Sequence, residues 1–242
     1  MTTSKIRIIL TGVFLLLSGC ASTPQYQRSS SPAMGTAWGQ DIHSTVTAVS
    51  AERAGAEPID SIVINYTTRT EPGYDKIYSI RIGDLEYAVR DKNFNSLPVS
   101  RIFNRSPGQW QYQLQAKMNT QYQLYVRNYS HDTDYEIVAT VDGLDVLNGR
   151  PGSVRNPGYI VKAGDSLAIK GFRRNHSTEA AFIFSPLERA YSAHSAYGDV
   201  RNAGMIGFAA FVLKGKHNKL APCAANAFPG DENEFAPAPC GK

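Results

Sequence analysis

The alternation of apolar and polar residues in the middle of the chain predicts β-structure. Residues 110–116 alternate Trp, Tyr, Leu and Ala with Gln, and 121–126 return to a similar pattern after a polar turn. A period of two places successive side chains on opposite faces of a strand. These two stretches therefore predict an antiparallel hairpin with one buried face. A second hairpin is predicted at 76–90, where two alternating runs flank Gly83 and Asp84.

Other short runs rich in β-branched and aromatic residues predict further strands. They lie at 44–49, 59–67, 135–142, 159–161, 166–172, 179–185 and 205–213. Turn residues separate most of these runs, and Gly164 lies in a predicted tight turn. Residues 91–109 are predicted to form a long loop or to contain one short helical turn. A helical pattern is present only at 187–197, with Pro186 suited to its first turn.

This succession of about ten short strands, without a βαβ rhythm, is typical of a β-sandwich. We therefore predict an all-β fold, a single antiparallel β-sandwich that is jelly-roll-like and has one short helix. The sandwich domain is predicted at 43–214, because no repeat or linker interrupts that range. Residues 20–42, rich in Ser, Gln and Pro, predict a flexible tether. Residues 215–242 predict an irregular C-terminal tail.

Composition supports the β prediction and restricts the expected partners. Tyrosine, which favours strands, occurs 13 times. The net charge is only +4, and no run of five Lys or Arg residues is present. We therefore expect no nucleic-acid partner.

The N-terminus has the pattern of an export signal. Lys5 and Arg7 precede an apolar run at 8–17. That run is about half as long as the roughly 20 apolar residues that a membrane-spanning helix needs. We therefore predict a signal peptide at 1–19. The alternative is a buried N-terminal helix.

Residues 17–20, Leu-Ser-Gly-Cys, resemble the lipobox of bacterial lipoproteins. The resemblance implies cleavage before Cys20, a thioether-linked diacylglycerol on its sulfur and acylation of the new amino terminus. Lipoproteins of this class incorporate labelled palmitate. Several acyl chains together anchor a protein stably in a bilayer. Ala21 and Ser22 follow Cys20. In this class the absence of Asp there implies the outer membrane if the organism is Gram-negative, with the body in the periplasm or at the cell surface.

If Cys20 carries lipid, two cysteines remain, Cys223 and Cys240. An exported compartment is oxidising, so we predict a disulfide bond between them. Closing a loop of this length contributes about 3 kcal/mol in the chain-entropy model. The alternative is a pair of free or metal-binding thiols.

Several segments in the C-terminal half carry a second resemblance. They lie at 141–149, 158–161, 169–173, 181–184 and 201–207. Together, over about 135–214, they resemble an uncharacterised group of exported bacterial β-sandwich proteins. The resemblance implies a β-sandwich fold and transfers no activity or site residue.

Candidate chemistry is sparse. Residues 131–134, His-Asp-Thr-Asp, offer metal ligands, but an extended chain would turn His131 away from Asp132 and Asp134. A hairpin turn is the preferred interpretation. The chain also lacks the nucleophile-elbow, zinc-protease, P-loop and Cys-x-x-Cys motifs. We therefore expect no enzyme activity, cofactor or metal.

The predicted function is that of a non-catalytic, membrane-anchored lipoprotein. Its β-sandwich would bind another component of the cell envelope, with a protein assembly as the expected partner. An alternative is glycan or peptidoglycan binding through a face formed by Trp110, Tyr112 and Tyr122. A third hypothesis is a hydrolase with an unrecognised site.

Overall fold

The computed structural model describes residues 33–69, 74–104 and 108–215. Within these ranges the chain forms two packed β-sheets and only short helical turns. The predicted all-β sandwich with one short helix is confirmed. The predicted signal peptide, Cys20, Cys223 and Cys240 lie outside the described residues, as does the tail beyond 215.

Strands make up most of the regular structure. In chain order they are β1 (Met34–His43), β2 (Asp60–Thr67), β3 (Asp75–Ile77), β4 (Ile80–Ile82), β5 (Leu85–Asp91), β6 (Val99–Asn104), β7 (Gln109–Gln115), β8 (Gln121–Asn128), β9 (Tyr135–Val141), β10 (Leu144–Asp145), β11 (Tyr159–Val161), β12 (Ser166–Ile169), β13 (Gly171–Arg173), β14 (Thr178–Pro186) and β15 (Met205–Val212). The single α-helix of the described residues is α1 (Tyr191–His194), and 3₁₀ turns lie at Leu187–Arg189 and Val200–Asn202.

The first sheet has the strand order β1-β14-β8-β5-β4, with β12 also beside β8 and β13 beside β14. The second has the order β10-β9-β15-β2-β7-β6-β3, with β11 also beside β9. Along one side of β8, β12 pairs from Leu124 onward and β14 pairs at Gln121 and Tyr122. The neighbour of β8 therefore changes at Gln123.

The hydrophobic core lies between the sheets. On β5, Leu85, Tyr87 and Val89 are buried in it and alternate with Glu86, Ala88 and Arg90, which lie outside this core. Burying one such large apolar side chain contributes about 1.5–3 kcal/mol. The period-two pattern of the sequence thus identifies the inward-facing residues of this strand.

The predicted hairpin of 110–116 and 121–126 is wrong. β7 pairs with β6 in antiparallel and with β2 in parallel orientation, whereas β8 lies in the other sheet. Each strand has one apolar face, and two such faces can be buried opposite each other as well as side by side. The parallel pair also departs from the purely antiparallel sandwich that we predicted.

The predicted hairpin around Gly83 is confirmed for its inner part. β4 pairs with β5, and Gly83 has a φ of +54° in the turn. The alternating run before it is split, because β3 belongs to the second sheet and β4 to the first. The chain crosses between the sheets at Tyr78, which is exposed.

The predicted boundary between tether and sandwich is wrong for 34–42. These residues form β1, which pairs with β14 along its length, and Met34 and Thr36 are buried. The stretch lacks regular alternation, so tertiary pairing rather than local pattern makes it a strand. The predicted strand at 44–49 is absent from the structure, and residues 44–52 form no strand.

Two further local predictions are wrong. The predicted loop at 91–109 contains β6 and the start of β7. The helical pattern at 187–197 is realised only as a 3₁₀ turn and α1, because Ala190 between them has extended backbone angles. Pro186 is the last residue of β14 and not a helical residue.

Candidate functional site

The inner face of the β6–β7 pair becomes exposed toward its Asn104–Gln109 end. Val99 and Leu114 are paired in register and are buried in the core. Phe103 and Trp110 are paired further along the same face, and they are 50% and 48% exposed. The pair therefore carries a core-like face out into solvent.

An arginine completes this exposed cluster. The guanidinium carbon of Arg101 lies 4.5 Å from the ring centroid of Trp110. The rings of Phe103 and Trp110 have centroids 4.9 Å apart and planes inclined at 59°. We call Arg101, Phe103 and Trp110 the aromatic–arginine patch. At an exposed site such a cation–π contact contributes about 0.5–1 kcal/mol.

The hydrogen bonding of Arg101 is incomplete. Its Nε is buried and has no hydrogen-bond partner among the described residues. One of its terminal nitrogens lies 3.9 Å from the exposed Asp75 carboxylate, a weak ion pair. The patch thus combines apolar surface with a donor that has no acceptor within the described chain.

The structure separates the residues of the predicted ligand face. Trp110 and Tyr112 are two positions apart on β7 and therefore share a face. Tyr112 is half-buried against the core. Burial raises the pKa of the Tyr112 hydroxyl, while the charge of Arg101 acts in the opposite direction. Tyr122 is fully buried in the other sheet, so its assignment to this face is wrong.

Sequence reasoning missed Arg101 and Phe103. The Asn, Ser and Pro residues of 91–109 favoured a loop there. The run Val-Ser-Arg-Ile-Phe at 99–103 is the local signal that could have identified β6. Three of its five residues, Val99, Ile102 and Phe103, are β-branched or aromatic, and such residues favour strands.

A buried polar network connects the two sheets at Asp142, the residue that follows β9. One of its carboxylate oxygens accepts the backbone N–H of Thr36 at 2.6 Å. The other accepts the Tyr66 hydroxyl at 2.5 Å and the N–H of Gly204 at 2.8 Å. Thr36 Oγ1 lies 2.8 Å from the Tyr66 hydroxyl and 2.6 Å from the Tyr122 hydroxyl.

The proton positions in this network follow from the number of donors. Tyr66 has one hydroxyl proton, and it donates this proton in its hydrogen bond to Asp142. Thr36 must therefore be the donor in its hydrogen bond with Tyr66. Tyr122 must then donate to Thr36. Burial raises the pKa of the Asp142 carboxyl above 3.8, and the hydrogen bonds that it accepts oppose this effect. These groups are closed to solvent, so the network stabilises the sandwich.

In the sequence, the Asp142-Gly143 dipeptide has the composition of a tight turn. These residues do form the two-residue turn between β9 and β10, both with positive φ. Such a turn matches the twist of a hairpin and favours Asp-Gly. The additional role of the Asp142 carboxylate depends on Thr36 and Gly204, which are distant in sequence.

Residues 131–134 connect β8 in the first sheet to β9 in the second, so the predicted hairpin there is wrong. The hydroxyl of Thr133 donates to the Asp132 carboxylate at 2.9 Å, and the N–H of Ala163 donates to that of Asp134 at 2.8 Å. Within 33–69, 74–104 and 108–215, no three His, Cys, Asp or Glu side chains are grouped to hold a metal ion.

The chain matches no protein-family model, no curated protein and no solved structure. In the part of the chain that the structure describes, no helix has the length and apolar character needed to cross a bilayer.

Proposed function

We propose that this protein is a membrane-anchored lipoprotein whose β-sandwich binds another protein of the cell envelope through the aromatic–arginine patch. The observation that carries the proposal is the joint exposure of Phe103 and Trp110 beside Arg101. Aromatic residues and arginine are enriched at the energetically dominant centres of protein interfaces. The anchor is the lipid expected on Cys20.

The geometry of the patch favours a protein partner over a glycan. The ring planes of Phe103 and Trp110 are inclined at 59°, so they do not form one flat platform for sugar rings. Arg101 also lies over the Trp110 ring. The Arg101 side chain is 39% exposed and has only a weak ion pair with Asp75, so its terminal nitrogens can donate to a partner carbonyl or carboxylate.

The position of β1 sets how far the sandwich can lie from the membrane. It begins at Met34, so residues 21–33 separate the lipidation site from the folded body. A segment of that length spans at most roughly 45 Å. The partner is therefore expected within the envelope layer next to the anchoring membrane.

Site-specific crosslinking tests the binding surface. A photoreactive phenylalanine analogue in place of Phe103 is expected to give a discrete protein adduct in intact cells, and Trp110→Ala is expected to reduce it strongly. The matched control places the analogue at Tyr197, which is 57% exposed in the turn after α1. Equal adducts at both positions, or none at Phe103, would contradict the proposed surface.

Palmitate labelling tests the anchor separately. Cys20→Ala is expected to abolish labelling and to release the protein from the membrane fraction, because the acceptor thiol is lost. Cys223→Ala is the control and should leave both properties unchanged. Labelling that persists in Cys20→Ala would disprove the anchor without bearing on the patch.

A further inference from the structure

A pocket of about 510 Å³ opens on the first sheet where β8 changes its neighbour from β12 to β14. Its polar lining comes from Gln121 and Gln123 of β8, from Lys92 after β5, and from Lys170 between β12 and β13. The ring of Phe94 contributes apolar surface. The volume lies within the range of about 300–1,000 Å³ that is typical of small-ligand sites.

The pocket is cationic. Lys92 and Lys170 are exposed, lie on separate elements, and form no salt bridge with a described residue. Asp91 interacts electrostatically with Lys92, and Glu179 interacts electrostatically with Lys170. However, neither carboxylate belongs to the pocket lining.

Both of these carboxylates have other principal partners. Asp91 accepts hydrogen bonds from the amides of Asn93 and Asn95. Glu179 is paired with Arg173. An anionic ligand therefore faces two ammonium groups and no lining carboxylate.

The amide of Gln123 adds a hydrogen-bonding group. Gln123 is 5% exposed, and its Nε2 donates to the carbonyl oxygen of Asp91 at 2.8 Å. The Asp91 carbonyl can accept a hydrogen bond only from the NH₂ group of the Gln123 amide and not from its oxygen. This contact therefore fixes the orientation of the Gln123 amide. The opposite atom, Oε1, is buried without a hydrogen-bond partner among the described residues. Gln123 lines the pocket, so a ligand hydroxyl would supply that donor if the lining shifts to expose Oε1.

Phe94 is held in an unusual conformation at the rim. Its φ is +74°, a region that bulky residues rarely adopt. The Asp91 turn holds the backbone, since the Phe94 N–H donates to the Asp91 carbonyl at 3.0 Å. The ring, 47% exposed, makes an edge contact with Tyr125 and lies 4.2 Å from the guanidinium carbon of Arg90. Strained backbone of this kind is concentrated at functional sites.

We propose that this pocket binds an acidic sugar, a pyranose that carries a carboxylate. The carboxylate would lie between Lys92 and Lys170, a hydroxyl would donate to Gln123, and the apolar side of the ring would pack on Phe94. A bare inorganic anion would use only the lysines. This site is on the first sheet and the aromatic–arginine patch is on the second, so either can fail without the other.

Titration calorimetry of the purified full-length chain tests the proposal with four probes. A glucuronate disaccharide and a disaccharide containing N-acetylmuramic acid represent two sources of a sugar carboxylate. Diacetylchitobiose is the neutral counterpart, and sodium sulphate is the inorganic anion. At least one acidic probe is expected to bind about tenfold more tightly than the neutral sugar and the sulphate, with affinity falling as salt is added. The acidic probe that binds identifies the source.

Substitutions place the binding in this pocket. Lys92→Gln and Lys170→Gln are each expected to weaken binding of the acidic sugar about three- to tenfold. Lys162→Gln removes an exposed lysine outside the pocket and should change nothing. Phe94→Asn should weaken acidic and neutral sugars alike, because Asn tolerates the positive φ but lacks the ring.

Four outcomes would overturn the proposal. They are no binding of either acidic probe, equal binding of the neutral sugar, equal binding of sulphate, and equal effects of Lys162→Gln and the two pocket variants. Thermal unfolding of each variant, compared with the unmodified chain, separates lost binding from lost structure.

Discussion

At the scale of single residues, Asp142 connects more of the fold than any local pattern indicates. It is 1% exposed, and its carboxylate accepts hydrogen bonds from Thr36, Tyr66 and Gly204. Thr36 belongs to the first sheet, and Tyr66 belongs to the second. Loss of this acceptor would leave buried donors on both sheets without a partner.

Replacing Asp142 with Asn should therefore destabilise the protein by about 3 kcal/mol, because an amide accepts fewer of these hydrogen bonds. Asn tolerates the φ of +52° at this position. The loss of stability therefore measures the contribution of the carboxylate and not backbone strain. Urea unfolding measures the loss. Asp165→Asn, which changes an exposed carboxylate, is the control and should change stability by less than about 0.5 kcal/mol.

The difference in unfolding free energy between the unmodified chain and Asp142→Asn is expected to depend on pH. Burial raises the folded-state pKa of Asp142 above the ordinary value of 3.8, so the folded state binds a proton more tightly than the unfolded state. The contribution of Asp142 to stability is therefore larger near pH 3.8 and falls as pH rises through the folded pKa. The stability difference between the unmodified chain and Asp142→Asn should widen on acidification. A difference that narrows would contradict the raised pKa.

The ion pair of Arg173 and Glu179 gives a second prediction. Their side chains are only 6% and 1% exposed. Arg173→Met alone should cost about 3–5 kcal/mol, because it leaves the Glu179 charge buried without its partner. Arg173→Met with Glu179→Leu should cost less than the sum of the two single changes, by about 2 kcal/mol. Additive effects in this cycle, measured by urea unfolding, would show that the pair is not coupled.

At the scale of elements, the corner between β12 and β13 depends on close backbone approach. A Cβ at Gly171 would lie 1.9 Å from the carbonyl oxygen of Ala180 on β14. Gly171→Ala should therefore push the strands apart and destabilise the protein by about 1–3 kcal/mol. Gly55→Ala is the control, since a Cβ there meets no atom within 4 Å. Equal unfolding midpoints for the two variants would contradict this account.

Most strands of the sandwich could be predicted from the sequence, but their neighbours could not. Alternation along β7 and β8 identifies a buried face in each, and it carries no information on whether the two strands pair or oppose each other. β1 was missed because Met34–His43 has no regular alternation. Its place depends on Gly35, where a Cβ would lie 2.4 Å from that of Ala190.

The candidate sites were predictable to different degrees. Trp110 was identified because its strand alternates aromatic residues with Gln. Arg101 and Phe103 join it only through the register of β6 with β7, which is a tertiary property. The acidic-sugar pocket draws on segments as distant as Lys92 and Lys170, so no local motif could indicate it.

At the scale of the whole molecule, the predicted disulfide between Cys223 and Cys240 lies beyond the described sandwich. Thiol titration of the unreduced, denatured protein is expected to find neither cysteine free, because the predicted signal peptide would direct the chain to an oxidising compartment. The same titration after reduction provides the control. Two free thiols before reduction would refute the pairing.

The position of β1 has a mechanical consequence. β1 is an edge strand of the first sheet, and any pull on the segment that precedes Ala33 enters the body at Met34. Close to that point, the amide of Thr36 is bonded to Asp142, which lies outside the first sheet. If the proposed lipid anchor holds the chain, a load on it would therefore act on a hydrogen bond across the core as well as on the edge pairing of β1 with β14.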